Sequence, residues 1–126
     1  MGMDVVHLPS QPDYPAPDGS EVRLLVQGDL GGLAHFLLPA GRQSDAKSHR
    51  SVEELWYCLK GRGELCVGDE VTTLCPGISV RIPPNRRFQF RSHGPGALEI
   101  LGTTMPPWPG PQEADDAEPY WPPIGS

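Results

Sequence analysis

The sequence predicts an all-β fold, a small antiparallel barrel or sandwich, on three observations. Short apolar runs recur through the middle of the chain at 21–27, 32–38, 52–59, 63–67, 70–74, 79–82, 87–91 and 97–103, rich in Val, Ile, Leu and aromatic residues. Turn residues separate them. No segment carries a 3.6-residue apolar period for more than two turns. The chain has 126 residues, the size of one domain with one core, and no repeat of 20 to 50 residues is visible.

Taken in order, residues 1–20 form an N-terminal arm carrying Pro9, Pro12, Pro15 and Pro17. The barrel spans 21–104. Pro39-Ala-Gly41, Cys75-Pro-Gly77 and Pro83-Pro-Asn85 are chain reversals, and Gly68-Asp69 is placed to make a hairpin turn. Residues 105–126 form a second arm with seven prolines, an acidic patch and the aromatics Trp108, Tyr120 and Trp121. Prolines cannot donate to a ladder, so this arm is not sheet interior. It is either a disordered acidic tail or an extended arm packed on the barrel or on a second subunit. Its three aromatics favour docking, at least through Trp108.

Net charge is −6. Residues 92–126 carry five acids and no base, while all ten Lys and Arg lie among the first 91 residues with the other eleven acids. The acidity belongs largely to the C-terminal arm. Arg81, Arg86, Arg87 and Arg91 split between two faces at strand spacing, so no basic stripe for nucleic acid forms. Cys58, Cys66 and Cys75 match no zinc spacing and lie in apolar runs, where Cys behaves as a small hydrophobe. No apolar run reaches the ~20 residues of a membrane span, and residues 1–4 start no signal peptide. The expectation is a soluble cytoplasmic protein with reduced thiols and no membrane partner.

Two segments carry the chemistry. The first runs from Gly41 to Gly61 through Lys47, His49, Glu53 and Glu54. At strand spacing, 47 and 49, and across the turn 54, 56 and 58, can share a face. That places His49, Glu54 and Trp56 in the barrel mouth and Glu53 on the opposite surface. The second runs from Cys75-Pro-Gly77 through Ile82-Pro-Pro-Asn85 to Phe90. Together they resemble the two cupin motifs. His49 falls on the second histidine of the first motif, Lys47 on the first, and Glu54 on the glutamate. The third histidine falls on Arg87 or Phe88, according to a one-residue choice of alignment. Asn85 replaces a glycine, and both residues tolerate positive φ. Val52-Glu-Glu-Leu-Trp-Tyr57 and Met105-Pro-Pro-Trp-Pro-Gly110 resemble small bacterial single-domain cupins. The resemblance implies a double-stranded β-helix, or jelly-roll, barrel over residues 21–104, and a homodimer formed through sheet edges and exchanged arms.

The family holds Zn, Fe, Mn or Ni with three histidines and a glutamate, and two of these four ligands are present. Three readings of His49 and Glu54 follow: metal ligands completed by His35 or His93, with a divalent ion weakly held; a metal-free pair in which His49 is a general acid or base and Glu54 orients it; or a hydrogen-bonded polar pair without chemistry. Lys47 and Arg87 would together make a cationic mouth for a carboxylate or enolate, unless Arg87 is a solvent-facing edge charge. Trp56, Phe88 and His35 are candidate pocket-lining residues, with core packing the alternative for Trp56 and Phe88. The expected function is small-molecule binding, with isomerase, cyclase or lyase chemistry on an anionic metabolite. The alternatives are a non-catalytic accessory role and a metal-dependent enzyme.

Overall fold

A computed structural model describes residues 2–16 and 18–123. Positions 1, 17 and 124–126, which the sequence analysis assigns to the two arms, lie outside the described residues. The strands are β1 (Tyr14–Pro15), β2 (Glu21–Gln27), β3 (Gly32–Leu38), β4 (Lys47–His49), β5 (Glu53–Lys60), β6 (Gly63–Val67), β7 (Glu70–Leu74), β8 (Ser79–Ile82), β9 (Phe88–Ser92), β10 (Leu98–Met105) and β11 (Ala114–Asp116). A single 3₁₀ turn (Pro111–Glu113) is the one helical element among the described residues. One sheet has the order β1-β2-β3-β10-β5-β8 and the other β11-β4-β9-β6-β7. All ladder pairs are antiparallel. Two facing antiparallel sheets are the jelly-roll arrangement expected from the apolar runs.

Side-chain alternation decides what each strand offers the interior. In β5, Glu54, Trp56 and Cys58 are buried, while Leu55, Tyr57 and Leu59 are exposed. In β10, Leu98, Ile100, Gly102 and Thr104 face inward. Trp56, Cys58, Leu98 and Ile100 join Leu38, Leu65, Leu74, Ile82, Phe88 and Phe90 in one core. Trp56 is packed by Phe36, Phe88 and Phe90, with ring centroids 5.7, 6.2 and 4.9 Å away. Gly102 makes room for this cluster, because a Cβ there would sit 2.6 Å from the Phe36 ring.

Turn chemistry sets the registers. Gly68 takes φ 60° at the first central position of the β6–β7 hairpin, where Val67 pairs with Glu70, as a two-residue type II′ loop requires. Asn85 takes φ 61° in the turn before β9. Its N–H donates to the His49 carbonyl at 2.7 Å, tying that turn to β4.

Segments of both arms contact the barrel. In the N-terminal arm β1 pairs with β2. Arg23, facing outward from β2, donates to the Pro9 and Ser10 carbonyls at 3.0 and 3.2 Å. In the C-terminal arm β11 pairs with β4. The Glu113 carboxylate accepts from the Ser51 N–H, from the Ser51 hydroxyl at 2.8 Å and from the Val52 N–H at 2.8 Å. Arg50 forks onto Asp115. Farther along, the Gln89 amide oxygen accepts the Tyr120 and Trp121 N–H groups at 2.9 and 3.0 Å. The Arg91 guanidinium lies 4.2 Å from the Trp121 ring centroid.

Glu113→Ala leaves two backbone donors at residues 51 and 52 without their acceptor. The expected cost is about 2–3 kcal/mol of stability. Chemical denaturation of the two proteins measures it, and a difference inside error would mean that the arm's polar contacts contribute nothing.

Candidate functional site

A cavity opens between the sheets at the end where β4, β5 and β10 meet the arms. Lys47 and His49 reach it from β4, Glu54 and Trp56 from β5, Phe88 from β9 and Thr104 from β10. Val22, Leu24, Ala34 and Phe36 supply apolar walls from β2 and β3. The arms complete it with Tyr14, Ala16 and Asp18 on one side and Trp108 and Ala114 on the other. Trp56 and Phe88 belong to both core and cavity wall, so they mark the boundary between packed and open interior. The cavity is narrow, about 40 Å³ in volume.

His49 and Glu54 meet here. His49 Nδ1 lies 3.2 Å from Glu54 Oε2, without the alignment of a full hydrogen bond. The Trp56 indole N–H donates to Glu54 Oε1 at 2.6 Å. The His49 ring is held edge-on by Phe88 and Trp108, with centroids 4.9 and 5.2 Å away. Thr104 is the cross-strand neighbour of Glu54.

Burial dominates the electrostatics. It raises Glu54 to about 8, against a smaller downward pull from the Trp56 N–H. It lowers His49 to about 4, although Glu113 pulls the imidazole upward. At neutral pH the pair therefore carries one proton, on the Glu54 carboxyl, opposite a neutral imidazole. Asp18 is also raised, first by burial, against hydrogen bonds from Ser20. Tyr14 is raised by burial and by the nearby Asp13 and Glu54.

The sequence-derived site residues divide cleanly. Lys47, His49, Glu54, Trp56 and Phe88 come together around the cavity. Arg87 does not. It precedes inward-facing Phe88, so strand parity turns it outward. There it donates to the Gly68 carbonyl, the Asp69 carboxylate and the Glu118 carbonyl at 2.5, 2.8 and 3.2 Å. The expected two-cation mouth is corrected to Lys47 alone. His35 is buried, but on the outward parity of β3, where its Nε2 contacts Glu99 Oε1 at 2.9 Å. It lines no part of the cavity. His93 lies 3.2 Å from Glu64 on the surface. Neither histidine can complete a ligand set with His49.

The donor set does not suit a divalent ion. Among the described residues no group of three or more His, Cys, Asp or Glu is arranged to hold one. His49 and Glu54 are two donors where such sites use three or four. One Glu54 oxygen already accepts the Trp56 N–H, and the positions of the missing histidines carry an ammonium and a phenyl ring. No chemical step is routed through a metal below.

Sequence reasoning missed Tyr14, Asp18 and Thr104 as cavity residues. Thr104 was within reach, since inward parity through 98, 100 and 102 leads to it. Asp18-Gly-Ser20 carries the signature of an Asx turn, and Asp18 indeed accepts from the Ser20 N–H and hydroxyl at 3.0 and 2.7 Å. Nothing local says that this turn borders a cavity.

The cupin domain family model matches residues 34–103. The uncharacterized protein MJ1618 of Methanocaldococcus jannaschii is 30% identical over 100 residues, 75% of this chain and 80% of its own. A conserved double-stranded β-helix protein from Klebsiella pneumoniae superposes with a TM-score of 0.69 at 17% identity, over 84% of this chain and 90% of that one. A variant of Streptomyces PAC13, solved with uridine, superposes with a TM-score of 0.70 at 14% identity, over 93% and 91%.

The shifted groups give stability a defined pH dependence. Glu54 stays protonated in the folded chain up to about 8, while its ordinary value is 4.5. The native state thus binds the extra proton and loses stability as pH rises through that window. His49 has the opposite sign: between about 4 and its ordinary 6.5 the unfolded chain binds the extra proton, so stability rises there. The two oppose each other below 6.5, and Glu54 alone acts above it. Glu54→Gln should therefore gain on the wild type between pH 6.5 and 8.5, read as a change in the difference of melting temperatures. A constant difference across that range would show that Glu54 is already ionised at neutral pH.

Proposed function

The chain belongs to the cupin domain family, and from that premise we propose that it binds a small organic molecule in the barrel mouth and acts on it by acid–base chemistry, as an isomerase, cyclase or lyase. The observation that carries this reading is the buried contact of His49 Nδ1 with Glu54 Oε2 at 3.2 Å, in surroundings that favour the protonated carboxyl and the neutral imidazole. Glu54 Oε2 lies 3.2 Å from Nδ1, and once the carboxyl proton turns toward Nδ1 the hydrogen of neutral His49 resides on Nε2. Passing it to a bound molecule, while Nδ1 collects the Glu54 proton, delivers one proton to the ligand. The reverse movement withdraws one. Each of the three reaction types needs such an exchange. Glu54 also fixes the imidazole, and Trp56 fixes Glu54. Lys47 supplies the positive charge for an anionic ligand or a developing enolate. A protein of this fold, Streptomyces PAC13, has been solved with the small organic molecule uridine.

A non-catalytic, accessory ligand-binding role is the second reading. The bulky wall of Trp56, Phe88 and Trp108 supports it, since it leaves so little open volume. A small-molecule library followed by tryptophan fluorescence finds ligands for either reading, because Trp56 and Trp108 both border the cavity. Proton NMR then reports turnover of each hit. The acid–base reading expects His49→Gln to lower turnover by about 100-fold or more while affinity changes only a few-fold. Binding without turnover in the wild type would favour the accessory role. Stoichiometric metal in untagged protein, lost on His49→Ala, would overturn the metal-free chemistry.

Self-association belongs to the same proposal. Leu55, Tyr57 and Leu59 form an exposed apolar stripe on the outer face of β5. The charges at one end of the stripe, Glu53 and Arg81, neutralise each other at 2.6 Å. An uncharged stripe of this kind suits an isologous pairing with a second copy. A cytoplasmic setting is supported by three cysteines free of disulfide pairing. Tyr57→Glu should convert a dimer to a monomer in analytical ultracentrifugation, and a wild type that sediments as a monomer would end this part of the reading.

A further inference from the structure

We propose that the arm end of the cavity is a subsite for an oxyanion, a carboxylate in the first instance, and that Asp116 of the C-terminal arm occupies its cation as an exchangeable placeholder. The inference rests on the reading of the cavity as a small-molecule site and adds the class of group bound there and what it displaces.

Among the described residues, Lys47 is the one Lys or Arg bordering the cavity. Its side chain is 12% exposed, and its ammonium donates to Asp116 Oδ1 at 2.6 Å. The two partners are unequal, because the Asp116 side chain is 93% exposed. A mostly covered Lys47 side chain thus pairs with a carboxylate that is almost fully solvated, and it also lies within electrostatic reach of the buried Asp18. Exposed carboxylates gain little from such pairs, whereas a desolvated ammonium gains much from an anion that shares its burial. Two of the three ammonium hydrogens are left for other acceptors.

A second observation points to the same kind of group. The Trp108 indole N–H is buried without an acceptor among the described residues, and Trp108 is one of the residues lining this cavity. Buried donors are normally satisfied, and an indole N–H can only donate. The missing partner is therefore an acceptor, and an oxyanion offers several. Lys47 and Trp108 both flank His49, Lys47 two residues away on β4 and Trp108 against the ring. A carboxylate anchored between them would lie beside the proton-carrying pair.

The placeholder sits on the element that narrows the cavity. Asp116 pairs with Lys47 across the β11–β4 ladder, and Ala114 of the same strand is cavity wall. An anion that takes Lys47 from Asp116 removes one of the contacts holding β11. Entry of an anionic ligand and loosening of the arm are thus linked.

Benzoate and its uncharged isostere benzamide are the probes, since the apolar walls suit a phenyl ring. Titration of the full chain by tryptophan fluorescence and calorimetry gives both affinities in the wild type, Asp116→Asn, Lys47→Met and Trp108→Phe. Benzoate should bind the wild type more tightly than benzamide. Asp116→Asn should widen that preference about tenfold by removing the competing carboxylate. Lys47→Met should abolish the preference, and Trp108→Phe should narrow it. Amide hydrogen exchange at 114–117 should quicken more with saturating benzoate than with benzamide. If both probes bind equally in the wild type and in Asp116→Asn, the subsite is overturned while the cavity stands. If neither binds either protein, the cavity reading falls and the subsite with it. Should Lys47→Met fail to fold, the Asp116→Asn preference decides alone.

Discussion

Alternation of side chains along the strands is the constraint on which the site depends. Each sheet shows one parity to the interior, and the interior parity of β4, β5, β9 and β10 selects Lys47, His49, Glu54, Trp56, Phe88 and Thr104. The same rule expels Arg87 and Arg91 and leaves Gln89 pointing outward, where the arm then buries it. A shift of one residue in β9 would exchange a phenyl ring for a guanidinium beside His49 and alter the cavity's charge. The turn at Asn85 fixes that register, through its positive φ and its hydrogen bond to the His49 carbonyl.

The alternation also explains how far the sequence could be read. The apolar runs at 21–27, 32–38, 63–67, 70–74 and 79–82 coincide with β2, β3, β6, β7 and β8. Those at 52–59 and 87–91 are displaced by one residue from β5 and β9. Displacements of that size leave a fold intact but matter for a site. Whether Arg87 or Phe88 faced inward was undecidable from spacing, because a loop of unknown shape precedes both. His35 was ambiguous for a different reason. It is buried, but among outward partners on β2 and β10, Arg23 and Leu101, and burial on the outer face of a sheet is not visible in a run of apolar letters.

The short pieces β1, β4 and β11 mark where local reading ends. Two or three residues carry no periodicity, and each exists because a partner strand accepts it. Tyr14 and Asp18 enter the cavity wall on the strength of such pairings, and Trp108 enters through the arm that follows β10. Electrostatics follows from the same walls. Apolar surroundings keep Glu54 protonated and His49 neutral, so the interior holds its chemistry without net charge. Lys47 brings a positive charge to the wall, facing Asp116 on the outside and the buried Asp18 within.

The contacts that seat the C-terminal arm join residues far apart in the chain. Lys47 to Asp116 spans 69 positions, Arg50 to Asp115 spans 65 and Gln43 to Pro122 spans 79. Contacts of such separation carry a large closure entropy and consolidate after the hairpins they rest on. The arm is held mostly by polar groups at the surface rather than by the core, so it forms a unit of lower cooperativity than the barrel. Opening it uncovers the cavity without loosening Trp56 or Phe90. The protein thus joins a stable barrel to a less stable arm, so the backbone amides of 114–116 open by local fluctuation where those of the barrel need the whole fold to open.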